Sequence, residues 1–181
     1  TIQSSSLPVG VPDSEKIHLA AGMFAAKEVG GDFYDYFMID NHHLAFLIAD
    51  VSGKGLTAAL YMMGSKATIK QQLSWGHQPA DALTRANKEL CRNNEMSMFL
   101  TTFLAVLDTE TGMVSYVNAG HNPPAIKHKD GKWEYMNTQP WLVVGINPDV
   151  EYVSKSFQMM NGDRIFLYTD GVTEAENVDK P

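Results

Sequence analysis

Three aspartates stand at a strand end or break beside a glycine or a turn. Asp32 follows Gly30–Gly31 in "EVGGDFYDYF", Asp50 closes "LAFLIAD" ahead of "VSGKG", and Asp170 closes "RIFLYTD" ahead of Gly171. Glycine inside a strand weakens it and marks a bulge or a close approach by a ligand or another backbone. A carboxylate at a strand end rides on a rigid scaffold and faces backbone free to turn toward a ligand. If the three converge, their charges repel unless a proton or a cation lies among them. Divalent Mg2+ or Mn2+ takes oxygen ligands of this kind from carboxylates, backbone carbonyls and water. Two such ions a few ångströms apart clamp a phosphoryl group and activate a water for attack at neutral pH. A plainer reading stands beside this one. Strand-end aspartates form turns and cap helices, and Asp50 is placed to cap a helix that follows it.

The elements that would position these groups change period twice. Residues 17–27, 33–39 and 43–51 are β-like, and the almost continuously apolar "HLAFLIADV" reads as a strand covered on both faces. "IDNHH" at 39–43 is the turn between the second and third. A helix is predicted over 54–75, with Leu56, Ala59, Leu60, Met63 and Ala67 as its apolar stripe and Met62–Met63 as core filling. "GHQP" breaks it, and Pro79 opens a second helix over 79–93 with Leu83, Ala86 and Leu90 on one side. Strands return at 99–108, 113–118, 123–129, 132–136, 151–158 and 163–169, with hairpin turns at "ETG" and Asp130–Gly131. Strands, two consecutive helices, then hairpin-linked strands predict an antiparallel α+β layer fold. Asp35 lies an odd number of residues from Asp32, so a regular strand turns it to the opposite face, in a structural role.

The 181 residues are 44% hydrophobic and 19% charged, enough for one domain with a sizeable core. The net charge of −7 argues against a nucleic-acid surface. Cys91 stands alone, the first residues lack a signal-peptide pattern, and no apolar run is long enough to span a bilayer. These features favour a reducing, cytoplasmic setting. "GKG" at 53–55 fails the phosphate-loop pattern, because Lys54 is followed by Gly55 and not by Ser or Thr. Gly53 reads instead as freeing the backbone beside Asp50. His121 in "NAGHNPP" has no H-x-x-x-H partner. With Asn118, Asn122 and Pro123 it reads as a hairpin built on side-chain-to-backbone bonds, with contact to the site as the alternative.

Taken in order, "EVGGDFYDYF", "IADVSGKGLTAAL", "NAGHNPP" and "YTDGVTEAEN" resemble the metal-dependent PPM-type serine/threonine protein phosphatases, specifically the bacterial SpoIIE/RsbU-like branch. The resemblance spans roughly residues 2–177. It implies an αββα sandwich of two antiparallel sheets flanked by helix pairs. It also implies two Mn2+ or Mg2+ ions, with room for a third loosely held, and direct attack of metal-activated water on phosphoserine or phosphothreonine. By position, Asp50 would bridge the metals, Val51 would offer its backbone carbonyl, Asp170 would bind the first metal, and Asp32 would ligate through water or hold the additional ion. Gly30, Gly31, Gly53, Gly171 and His121 would support them. Ser52 stands where eukaryotic members carry a proposed general-acid His, and Lys27 where they carry a phosphate-binding Arg; Lys27 is the substrate-binding candidate, as a point charge.

The resemblance further implies a phosphorylated STAS-domain protein (an anti-sigma-factor antagonist) as substrate and a sensor domain upstream in the same chain. A homodimer and membrane tethering through a preceding region are left open. Residues 1–12 are expected to end a linker or regulatory segment. Residues 13–181 are expected to form the phosphatase domain without its last part, where the family carries a further Asp. The rival reading is a phosphatase-fold module, weak or inactive in catalysis, used for binding or dimerisation. A second enzymatic rival is a two-metal phosphoesterase acting on small molecules.

Overall fold

Turn chemistry sets the first strand pairing. β1 (Phe33–Met38) and β2 (His43–Val51) form an antiparallel hairpin. Asp40 closes it, its Oδ1 accepting the backbone N–H groups of His42 and His43, each at 2.8 Å. The computed structural model describes residues 7–8, 10, 15–23, 30–92 and 94–174. β3 (Leu100–Asp108), β4 (Met113–Ala119) and β7 (Lys155–Gln158) extend the hairpin into a five-stranded antiparallel sheet ordered β1-β2-β3-β4-β7. β5 (Ala125–Lys127), β6 (Trp133–Tyr135) and β8 (Arg164–Phe166) form a second antiparallel sheet, ordered β6-β5-β8. The helices are α1 (Leu56–Ser74), α2 (Pro79–Arg92) and the short α3 (Asp170–Thr173).

Period-2 alternation gives the larger sheet two apolar faces. One packs Phe33, Leu47, Ala49 and Leu104 against Met62 and Ile69 of α1 and Leu83 of α2. The other packs Phe103, Tyr116 and Ile48 against Ile165, Leu167 and Met136 from the smaller sheet and its flanks. The result is the expected layered antiparallel α+β sandwich, with the helix pair on the larger sheet. No helix among the described residues is long and apolar enough to cross a membrane.

Several elements depart from the sequence reading. The expected strand over 17–27 has no strand at 17–23, and its remainder lies outside the described residues. The strand expected from 123 starts at Ala125, because Pro123 and Pro124 have no N–H to give a ladder. The strand expected from 151 starts at Lys155. Before that the backbone serves the helices: the Tyr152 N–H donates to Thr84 Oγ1 at 3.0 Å, and its ring is buried in their core.

The face of α1 also differs. Leu56, Leu60 and Met63 are exposed, whereas Ala58, Met62, Lys66 and Ile69 point inward. Apolar residues occupy both sides of this helix, so periodicity alone cannot choose between them. The observed orientation also brings Lys66 and Lys70 to Asp35, at 3.8 and 3.3 Å to Oδ2. Asp35 is fully buried on the helix-facing side of β1, in the structural role expected of it.

Candidate active site

The hairpin register builds the site. Phe33 lies opposite Ala49, so one further step places Asp32 opposite Asp50 and Gly31 opposite Val51. On the other side of β2, Asp50 faces Thr101 of β3. Asp50 shares the strand face of Phe46 and Ile48, which looks toward the smaller sheet. From that sheet's side the Thr169 hydroxyl donates to Asp32 Oδ2 at 2.7 Å. Asp170 follows directly, at the start of α3.

The three aspartates thus meet at one end of the cleft between the sheets. Burial, then a hydrogen bond shared with Asp32 and the charge of Asp32, then the charge of Asp170 push the Asp50 carboxyl up to about 7. Asp50 thus holds its proton well above the ordinary carboxylate range, as an acid does when another carboxylate lies at close range. The helix-cap reading of Asp50 is overturned, since the N-cap of α1 is Gly55, with no side-chain cap bond.

Oxygen donors and surplus negative charge suit a hard divalent cation. The Val51 carbonyl, one residue on from Asp50, could add a backbone oxygen. A Cβ on Gly31 would stand 2.7 Å from the Val51 carbonyl oxygen, closer than real Cβ contacts allow, so glycine keeps that oxygen clear. Gly53 adopts φ +84°, which carries the chain out of β2 toward α1. Gly171 meets nothing closer than Thr169 Oγ1 at 4.0 Å, so no close approach requires it. Gly30 precedes this stretch, and Lys27 lies outside the described residues. Among the described residues, no three His, Cys, Asp or Glu side chains surround one point closely enough to hold an ion by themselves. The groups that could hold a cation here are the Asp32, Asp50 and Asp170 carboxylates, together with a backbone carbonyl.

Two residues are spoken for by the scaffold. Ser52 and Phe99 exchange bonds: the Ser52 N–H donates to the Phe99 carbonyl at 2.8 Å and the Phe99 N–H to Ser52 Oγ at 3.0 Å. This pins the backbone just after Val51. His121 is buried, with Nδ1 2.9 Å from Thr101 Oγ1 and Nε2 3.1 Å from the Tyr168 carbonyl oxygen. Burial pulls its imidazole below the usual value, against the Tyr168 carbonyl and the charges of Asp32 and Asp170. With both ring nitrogens engaged, His121 has no lone pair to offer a metal. The hairpin bonds expected around it are present: the His121 N–H donates to Asn118 Oδ1 at 2.8 Å, and Asn118 Nδ2 to the His121 carbonyl at 3.0 Å.

Sequence reasoning missed Thr101, Thr169 and the Ser52–Phe99 exchange. One signal was within reach, because Asp32 and Asp50 are equidistant from position 41, the centre of the first turn.

Comparison with known proteins gives the site a context. Residues 40–181 match the family described as Stage II sporulation protein E (SpoIIE). The phosphoserine phosphatase RsbU of Bacillus subtilis is 33% identical over 96% of this chain, which spans about half (51%) of RsbU's own length. The crystal structure of the RsbU and RsbW domains of Rv1364c from Mycobacterium tuberculosis superposes with a TM-score of 0.74 at 27% identity, covering 82% of this chain and 41% of that one. RsbX, crystallised with magnesium, shares the fold at a TM-score of 0.66 and 18% identity, covering 86% of this chain and 71% of its own.

Proposed function

This chain belongs to the SpoIIE family, and from that premise we propose that it is the catalytic domain of a protein phosphatase acting on phosphoserine or phosphothreonine. The observation that carries the reading is the convergence of Asp32, Asp50 and Asp170, with the Asp50 carboxyl held up to about 7. Such a site is built for positive charge. Asp50 and Asp170, with the Val51 carbonyl, would hold two Mg2+ or Mn2+ ions, and Asp32 would ligate through water or hold a further, looser ion. Ions there supply an attacking water at neutral pH and neutralise the phosphoryl oxygens. The chain's own part is to fix these donors. Gly31 leaves the Val51 carbonyl uncovered, the Ser52–Phe99 exchange holds the peptide that follows, and Thr169 orients Asp32.

The substrate in this reading is a phosphorylated STAS-domain protein, in a cytoplasmic partner-switching pathway controlled by a sensor domain elsewhere in the chain. RsbU's description as a phosphoserine phosphatase and the joining of RsbU and RsbW domains in one mycobacterial protein support it. A binding module without catalysis is the second reading, favoured by the absence, among the described residues, of three ligating side chains about one point. Turnover of a phosphoserine protein and of an aryl phosphate by the full-length protein in Mn2+ separates the possibilities. The expected result is protein dephosphorylation that Asp50→Asn abolishes, by on the order of 10³-fold, while the fold persists. Undiminished turnover in that variant overturns the mechanism. No turnover of any substrate by the unsubstituted protein in Mn2+ or Mg2+ favours the binding module.

A further inference from the structure

His121 joins the two halves of the site. A backbone carbonyl only accepts, so the Tyr168 oxygen at 3.1 Å assigns the ring proton to Nε2. Nδ1 of the neutral ring then accepts, and the Thr101 hydroxyl at 2.9 Å donates to it. Thr101 is the ladder partner of Asp50. Tyr168 precedes Thr169, which bonds Asp32, and Asp170. The His121 backbone is itself held by Asn118, through its N–H and carbonyl.

We propose that His121 is a positioning residue: as the Nε2–H tautomer it ties the Asp170 turn, which leaves the smaller sheet, to the Asp50 ladder of the larger sheet, and so sets the separation of the two carboxylates. Partners in the surrounding shell that orient ligands in this way are worth about 10–100-fold in metal affinity. The metal consequence rests on the functional reading above; the mechanical one does not.

The test compares amide hydrogen exchange in the cation-free protein with Mn2+ titration, for the unsubstituted chain, His121→Leu and His121→Gln. Gln carries an amide N–H able to donate to a carbonyl; Leu carries no donor. In His121→Leu the amides of Val172 and Glu174, which donate to the Thr169 and Asp170 carbonyls, are expected to exchange at least tenfold faster. The rates in α2 are expected to hold, with Mn2+ bound at least tenfold more weakly. His121→Gln is expected to recover most of both. Equal rates at Val172 and Glu174, a uniform acceleration through the whole molecule, or a Gln variant no better than Leu would each overturn the inference. If His121→Leu does not fold, Thr101→Val, which removes one bond of the tie, is expected to speed the same two amides selectively, and unchanged rates there count against it equally. An unsubstituted chain that binds no Mn2+ overturns the functional reading and the metal half of this proposal, and the exchange rates then decide the mechanical half.

Discussion

At the scale of single residues, the account turns on how Asp50 is charged. Its folded-state value of about 7 lies above the ordinary carboxylate value of 3.8. A raised folded value means that the associated stability is complete below the unfolded value and is lost as pH rises through the folded one. In cation-free protein, thermal stability is therefore expected to fall between about pH 4 and pH 7 by more than in Asp50→Asn, whose amide does not titrate. Parallel melting curves for the two proteins check this; a wild-type curve no steeper than the variant's would contradict it. Gly31 makes a separate prediction. A methyl group at that position presses on the Val51 carbonyl oxygen, so Gly31→Ala should weaken Mn2+ binding about 10–100-fold with little loss of secondary structure. Calorimetric titration measures this, and an unchanged affinity would remove Val51 from the donor set.

At the scale of elements, α1 buries an ion pair beside its apolar core face. Asp35 is buried, Lys66 is nearly so at 8% exposure, and Lys70 also lies over the Phe37 ring at 4.6 Å. Removing one partner of a buried pair leaves the other uncompensated, so Asp35→Ala is expected to cost about 3–5 kcal/mol in urea unfolding. Asp35→Leu combined with Lys66→Met should recover most of it, because well-packed apolar groups replace such pairs at little cost. A double variant as unstable as the single one would show that packing, not charge, sets the helix. This pair also marks the limit of what was legible in the sequence. The hairpins were readable, because Asp40 and Gly131 carry local turn chemistry that fixes pairing within a few residues. The core face of α1 was not, since Leu56, Leu60 and Met63 make as good a stripe as Ala58, Met62 and Ile69, and what separates them is packing and ion pairing with distant strands.

At the scale of the whole molecule, the site is a junction of two sheets. The carboxylates were legible because Asp50 and Asp170 each end an apolar run and Asp32 follows a Gly-Gly break, but Thr101, Thr169 and the imidazole contacts depend on how the sheets stack, which no local pattern encodes. Ions bound across that junction should stabilise the whole chain. At 100 times its Kd, a bound cation adds about 2.7 kcal/mol, roughly 5–10 °C in Tm for a domain of this size. The effect should vanish in Asp50→Asn. The central claim, that Asp32, Asp50 and Asp170 converge to hold divalent ions, is tested most directly by a manganese-soaked crystal measured at the Mn absorption edge. The account predicts anomalous density about 2.1 Å from Asp50 carboxylate oxygens, with Asp170 and the Val51 carbonyl in the same shell. Density absent from Asp50, or Asp50 and Asp170 opening to separate regions of solvent, would contradict it.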